Sequence, residues 1–157
     1  MTSHELPRCA SCGGVRRGGL ASCRAAFDEL LALEFVDPAA FGPVHHLTVA
    51  CFFLQHPEGH TAEVLAMWRH MISEPEAGGS FATRELAVAR RTFDGPTRVR
   101  EVGARPPDWW PVDFPVTVWD TLPEAGTSMD AAGHVARVRH WAQRTGDALD
   151  RADPTRA

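Results

Sequence analysis

The stretch PVHHLTVACFFLQHP, residues 43–57, limits the possible folds more than any other part of the chain. It is largely apolar, is bounded by a proline at each end, and carries imidazoles at both ends. Such a segment cannot lie on a wet surface, so the rest of the chain must pack around it. LTVACFFL alone has the composition of a strand, but Pro43 suits the first turn of a helix and Pro57 falls just past its end. A buried helix over residues 43–55 is therefore expected.

The flanking segments supply its neighbours. Ser22 can cap a helix running to about residue 36, with Cys23, Phe27, Leu30 and Leu31 as its apolar stripe. Asp37-Pro38 opens a short helical piece that Gly42-Pro43 should interrupt. Thr61 caps the next helix, whose Val64, Leu65, Trp68, Met71 and Ile72 share one face. A fourth helix is expected over residues 81–92, after the glycine pair at 78 and 79, with Arg84, Arg90 and Arg91 as a solvated face.

A last helix over residues 129–149 presents Ala132, Val135, Val138, Ala142 and Leu149. Residues 94–127 hold six prolines and three tryptophans without a helical period, too long for an ordinary connector. They should wrap over the helices with the tryptophans as buried anchors, the alternative being an exposed patch for a partner. The expected architecture is all-α: one domain, 1–157, a bundle of four to five helices with an irregular cysteine knuckle over residues 1–20 and this long Pro/Trp-rich connection.

A chain of 157 residues with 44% hydrophobic content can bury one core. The formal charge of -4 attracts neither nucleic acid nor an anionic membrane. No run approaches the ~20 apolar residues of a spanning helix, and the N-terminus lacks the layout of a secretory signal. A cytoplasmic location follows as an expectation, and in that reducing setting cysteines serve as thiols, metal ligands or a transient redox pair.

Cys9 and Cys12 form C-x-x-C followed by Gly13-Gly14. That turn can point two sulfurs at one soft cation while the glycines let backbone amides face the thiolates. A redox pair is the alternative, although the strand-then-helix context of a thioredoxin-like motif is missing. Cys23, at a helix start, is either a third ligand or the head of an apolar stripe. Cys51, inside VACFFL, reads as a core thiol.

His45 and His56 are three helical turns apart, about 16 Å along a straight axis, so they cannot share one ion. If residues 43–55 and 61–73 form an antiparallel hairpin, His46 lies level with His70 and His45 within a turn of it. The cysteines are expected to meet them at that end, while His56 caps its helix through the last carbonyls. The ligand set on this reading is Cys9, Cys12, Cys23, His45 and His70. His134 shares a face with Val138 and Trp141 and is either a packing residue or a ligand. His4, His60 and His140 are expected to be exposed.

Taken in order, CASC, ASCRAAFDELLALEF, VHHLTVACFFLQHP, WRHMI, FPVTVWDTLPEAG and HVARVRHWA resemble a family of small bacterial proteins known only as a domain of unknown function. The resemblance rests most on the V-H-x-L-T-V and Q-H-P block. It marks Cys9, Cys12, Cys23, His45, His56, His70 and His134 as the family's polar positions. It also implies an acid after L-T-V, where this chain has Ala50.

Two functions from different classes fit these residues. One is a helical module stabilised by zinc, with iron as the alternative metal, in a structural or thiol-redox-sensitive regulatory role toward a protein partner. The other is a small metal-dependent enzyme in which histidines leave a coordination position open for water or a small-molecule substrate. No phosphate loop, nucleophile elbow, H-E-x-x-H or dinucleotide fingerprint is present.

Overall fold

The structure, a computed structural model, describes residues 7–74, 106–124 and 126–153. These form five helices: α1 (Cys23–Val36), α2 (Pro38–Gln55), α3 (Ala62–Ser73), the single turn α4 (Val118–Thr121) and α5 (Ala131–Ala152). An isolated antiparallel bridge between Arg8 and Val15 closes the knuckle before α1. The fold class is all-α, as expected. The helix expected over residues 81–92 lies outside the described residues. Among the described residues no helix is long and apolar enough to cross a membrane.

Each helix starts where a side chain can satisfy an orphan amide. Ser22 Oγ accepts from the Ala25 N–H at 3.1 Å, Asp37 Oδ1 from Ala40 at 3.1 Å, Thr61 Oγ1 from Val64 at 3.4 Å and Asp130 Oδ2 from Gly133 at 2.7 Å. In α4 the Thr117 N–H donates to Asp120 Oδ2 at 2.9 Å.

One expectation fails at Pro43. Instead of two pieces, α2 runs unbroken from Pro38 with Pro43 inside it. The missing N–H of Pro43 leaves only the Ala39 carbonyl, in the first turn, without its helical partner. Phe41 and Val44 are both buried beside it, each contributing about 1.5–3 kcal/mol, which outweighs one lost hydrogen bond.

α2 is the central rod. Phe41, Val44, Leu47, Ala50, Cys51, Phe52 and Leu54 are buried around its circumference, against α1, α3 and α5. Cys51 is a core thiol, and burial pushes its pKa up. Gln55, fully buried, donates through Nε2 to the Val116 carbonyl at 2.8 Å and to Thr145 Oγ1 at 3.0 Å. It thereby ties the end of α2 to the Pro/Trp-rich segment and to α5.

That segment does lie over the helices: Phe114 and Trp119 are buried, and Trp109 packs against the core from a partly buried position. The buried face of α5 is His134, Val138, Trp141, Ala142, Thr145, Ala148 and Leu149, rotated from the expected stripe so that Ala132 is exposed. Trp141, fully buried, draws the face toward itself because it removes the most area from water.

A single residue, Asp37, separates α1 from α2, so the two helices run antiparallel with close register. The start of α1 therefore lies beside the end of α2, and the end of α1 beside the first half of α2. This register sets Cys23 near His56 and Glu34 beside His45.

Candidate metal centre

Cys9, Cys12, Cys23 and His56 each offer a ligand atom, and the four atoms all lie within 4.8 Å of one another. Among the described residues no other group of three or more His, Cys, Asp or Glu side chains converges in this way. Three segments deliver them: the knuckle, the first residue of α1, and the residue capping the end of α2.

The knuckle is a tight hairpin. Cys9 N–H donates to the Gly14 carbonyl and Gly13 N–H to the Cys9 carbonyl, both at 2.9 Å. Gly13 has φ of 72°, a left-handed conformation that a side chain would strain. Gly14 is required for a different reason. A Cβ there would come within 2.8 Å of Trp119 Cδ1, 2.9 Å of Thr117 Oγ1 and 3.2 Å of Cys12 Sγ. Because the space is open, the Gly14 amide reaches Cys12 Sγ at 3.4 Å.

The spacing fits a tetrahedral ion. Zinc–sulfur bonds of about 2.3 Å and zinc–nitrogen bonds of about 2.0–2.1 Å imply S···S edges near 3.8 Å and S···N edges near 3.5 Å. Cys12 Sγ and Cys23 Sγ are 3.7 Å apart, and Cys9 Sγ lies 3.6 Å from His56 Nε2.

The surroundings prepare the donors. His56 Nδ1 donates to the Phe52 carbonyl at 2.9 Å, and its ring stacks on Phe52 with centroids 4.4 Å apart. That bond holds Nδ1 as a donor and aims Nε2 at the sulfurs, where release of its proton frees the lone pair that a metal ion would take. His56 thus caps its helix, as expected from sequence, through one nitrogen while offering the other to the cluster. Trp119 Nε1–H donates to Cys23 Sγ at 3.1 Å, and delivering it is what the single turn of α4 accomplishes.

Close packing of these groups distorts their protonation. The hydrogen bond from Cys12, against the opposing effect of burial and with help from His56 and Trp119, holds the Cys23 thiol down at about 4; the same contact raises Cys12. Burial opposes a charge on His56, but bonds to Cys23, the Phe52 carbonyl and Cys9 raise it to about 9. Three sulfurs and an imidazole held this tightly form a donor set that a soft divalent cation satisfies.

The sequence reading brought His45 and His70 to the cysteines, and the structure does not. His45 is at the other end of α2, hydrogen-bonded to Glu34, and His70 is exposed on α3. The physical reason is the antiparallel register of α1 on α2, which carries Cys23 to the end of α2 where His56 stands. His134 also lies apart from the cysteines, fully buried against Glu34. His60 is partly buried with its ring edge-on to Phe53, and His140 is exposed.

Glu34 itself was not anticipated. It is 3% exposed and accepts three hydrogen bonds: from His134 Nε2 at 2.8 Å and Thr48 Oγ1 at 2.6 Å onto Oε1, and from His45 Nδ1 at 2.7 Å onto Oε2. Burial works to raise its pKa, but the bonds from His134, His45 and Thr48 prevail and hold the carboxyl below its ordinary value. The available signal was its spacing, since Cys23, Phe27, Leu30 and Glu34 fall on one helical stripe. His46, one turn before the buried Ala50, is itself buried with Nε2 lacking a hydrogen-bond partner, and burial lowers its pKa.

The profile of the family of unknown function DUF5946 matches residues 7–150. The chain belongs to that family. The match takes in the knuckle, all four members of the cysteine–histidine cluster and the Glu34 network. No curated protein and no solved structure matches this DUF5946 chain.

Gly14→Ala is expected to weaken metal binding by about 10–100-fold, the range for losing the groups that orient a ligand. The added methyl would push Trp119 away from Cys23. Gly146→Ala, whose Cβ would meet only Ile72 at 3.8 Å, should leave affinity unchanged. Competition against a chromophoric chelator measures both, and equal affinities would show that the Trp119 contact does not matter.

Proposed function

We propose that Cys9, Cys12, Cys23 and His56 hold one zinc ion as a structural clamp in a small helical protein that acts on a protein partner from a reducing, cytoplasmic compartment. The observation that carries this reading is the convergence of three sulfurs and one imidazole within 4.8 Å. Four protein donors close a tetrahedral shell and leave no position for water, which is how structural sites differ from catalytic ones.

The clamp joins the knuckle to the α1–α2 pair, so binding the metal is coupled to ordering the N-terminal segment. A regulatory role follows from the same sulfurs. An oxidant such as a hydroperoxide can take two electrons from Cys12 and Cys23, form the disulfide between them and release the ion.

Elemental analysis of protein purified without added metal should find about one zinc per chain, and iron in its place would reassign the cofactor. The cobalt-substituted protein should show intense sulfur-to-metal charge transfer that added azide leaves unchanged. Weak, azide-sensitive bands would instead indicate an open, nitrogen-rich site and would remove the structural assignment.

A further inference from the structure

The geometry points to a second, metal-independent site at the opposite end of the α1–α2 pair, where His45 Nε2 acts as a general base for hydrolysis of esters with an apolar group. Glu34 is the positioning residue for that imidazole.

The Glu34 carboxylate is buried in the last turn of α1, where the helix dipole disfavours negative charge. For stability alone, a packed apolar side chain often does as well as a buried ion pair. The two imidazoles on Glu34 have different environments. His134 is fully buried, with Phe41 edge-on to its ring at 5.3 Å, and anchors Oε1. His45, on Oε2, has about a third of its side chain exposed.

Because Nδ1 of His45 is engaged with Glu34 at 2.7 Å, the lone pair is on Nε2, across the ring from the carboxylate. A carboxylate that fixes one nitrogen of an imidazole and orients the other outward is the arrangement that general-base histidines use.

The surface around His45 suggests the substrate. Among the described residues the exposed large apolar side chains are Phe35 and Val36, at 67% and 80%. They follow Glu34 directly in the chain, and the Phe35 ring centroid is 5.6 Å from that of His45. Gly42, one turn before His45 on α2, leaves open space, since a Cβ there would meet nothing within 4 Å. An apolar acyl or aryl group can rest on Phe35 and Val36 while its carbonyl approaches His45 over Gly42.

In the reaction, His45 Nε2 takes a proton from water as the water oxygen bonds to the ester carbonyl carbon and the carbonyl π pair moves onto its oxygen. When that pair returns, the bond from the carbonyl carbon to the alcohol oxygen breaks, and the departing oxygen takes the proton from Nε2. The products are the acid and the alcohol. Glu34 keeps the Nδ1–H bond throughout and offsets the charge on the ring between the two transfers.

The test is hydrolysis of 4-nitrophenyl butyrate and 4-nitrophenyl acetate by the intact, metal-loaded protein. His45→Asn should lower kcat/KM about 100-fold, and Glu34→Gln should lower kcat with little change in KM. His140→Asn, altering an exposed histidine away from the network, should leave the rate unchanged. Phe35→Ser should abolish a preference for butyrate over acetate. Added imidazole should restore activity to His45→Gly.

Two measurements on the wild type need no variant to fold. Nitrogen-15 NMR should show His45 as the Nδ1–H tautomer, and diethyl pyrocarbonate should modify His45 faster than His140, as mapped by mass spectrometry. A wild-type rate no greater than that of equimolar free imidazole, an unchanged rate in His45→Asn, or modification of His45 no faster than His140 would overturn the proposal.

Discussion

Replacing Cys9 and Cys12 together with serine is expected to strip the metal from the protein and to lower its stability by about 4 kcal/mol at a free zinc concentration ~1,000-fold above Kd. The two changes remove half of the four-donor cluster, including the sulfur 3.7 Å from Cys23 and the one 3.6 Å from His56. What remains cannot close a tetrahedron, and the knuckle is left with contacts such as Arg17 to Asp120 at 2.8 Å to hold it to the helices. The helical core itself, built on α2, stays largely intact, so circular dichroism should retain most of its helical signal while the melting temperature falls. Metal content by mass spectrometry and a thermal melt in defined zinc buffer check both parts. Full retention of zinc by the double variant would eliminate this centre.

The second large effect is expected at Glu34. Glu34→Ala should cost about 3–5 kcal/mol, the range for removing one partner from a buried charged network. His134, Thr48 and His45 all lose their acceptor at once, and the first two have no water to turn to.

The pH dependence has a definite sign. The folded protein holds Glu34 below its ordinary value of 4.5, so its contribution is fully present above that value and is lost as pH falls through the lower folded pKa. The stability gap between wild type and Glu34→Gln should therefore be widest near neutrality and shrink in acid. Denaturant melts at a series of pH values measure it, and a gap that stays constant into acid would show that Glu34 is not ionised in the fold.

Much of the fold was legible because its signals are local. Ser22, Asp37 and Thr61 are read as caps from a few residues of context, and each accepts the amide that its position predicts. Pro43 misled because a proline's cost is local while the burial of Phe41 and Val44 that overrides it depends on tertiary packing. The turn at Val118–Thr121 was hidden in a proline-rich stretch whose order comes from Trp119 and Phe114 meeting the helices.

At the candidate site the cysteines announced themselves by spacing, but their histidine partner did not. His56 carries an evident capping role that accounts for only one of its two nitrogens. The missing constraint was the unbroken run of α2 from Pro38 to Gln55, since with it the one-residue connection at Asp37 sets the whole of α2 against α1 and so pairs Cys23 with His56. Glu34 was overlooked because an acid on an apolar stripe reads as surface until its partners, 11 and 100 residues away, are brought to it by the fold.

The register of α1 on α2 has a further consequence. Cys23 and Glu34 are eleven residues apart on one helix, as are His45 and His56 on the other, so the two polar contacts are about 16 Å apart along the shared axis. Between them the interface is apolar, with Phe27 stacked on Phe52 at 4.0 Å. Apolar helix surfaces repeat nearly every turn, and a slip of about 5.4 Å would cost them little distinctive contact. Such a slip would break the cysteine–histidine set and the Glu34–His45 contact together, so these two ends act as a vernier that rejects every alignment but one.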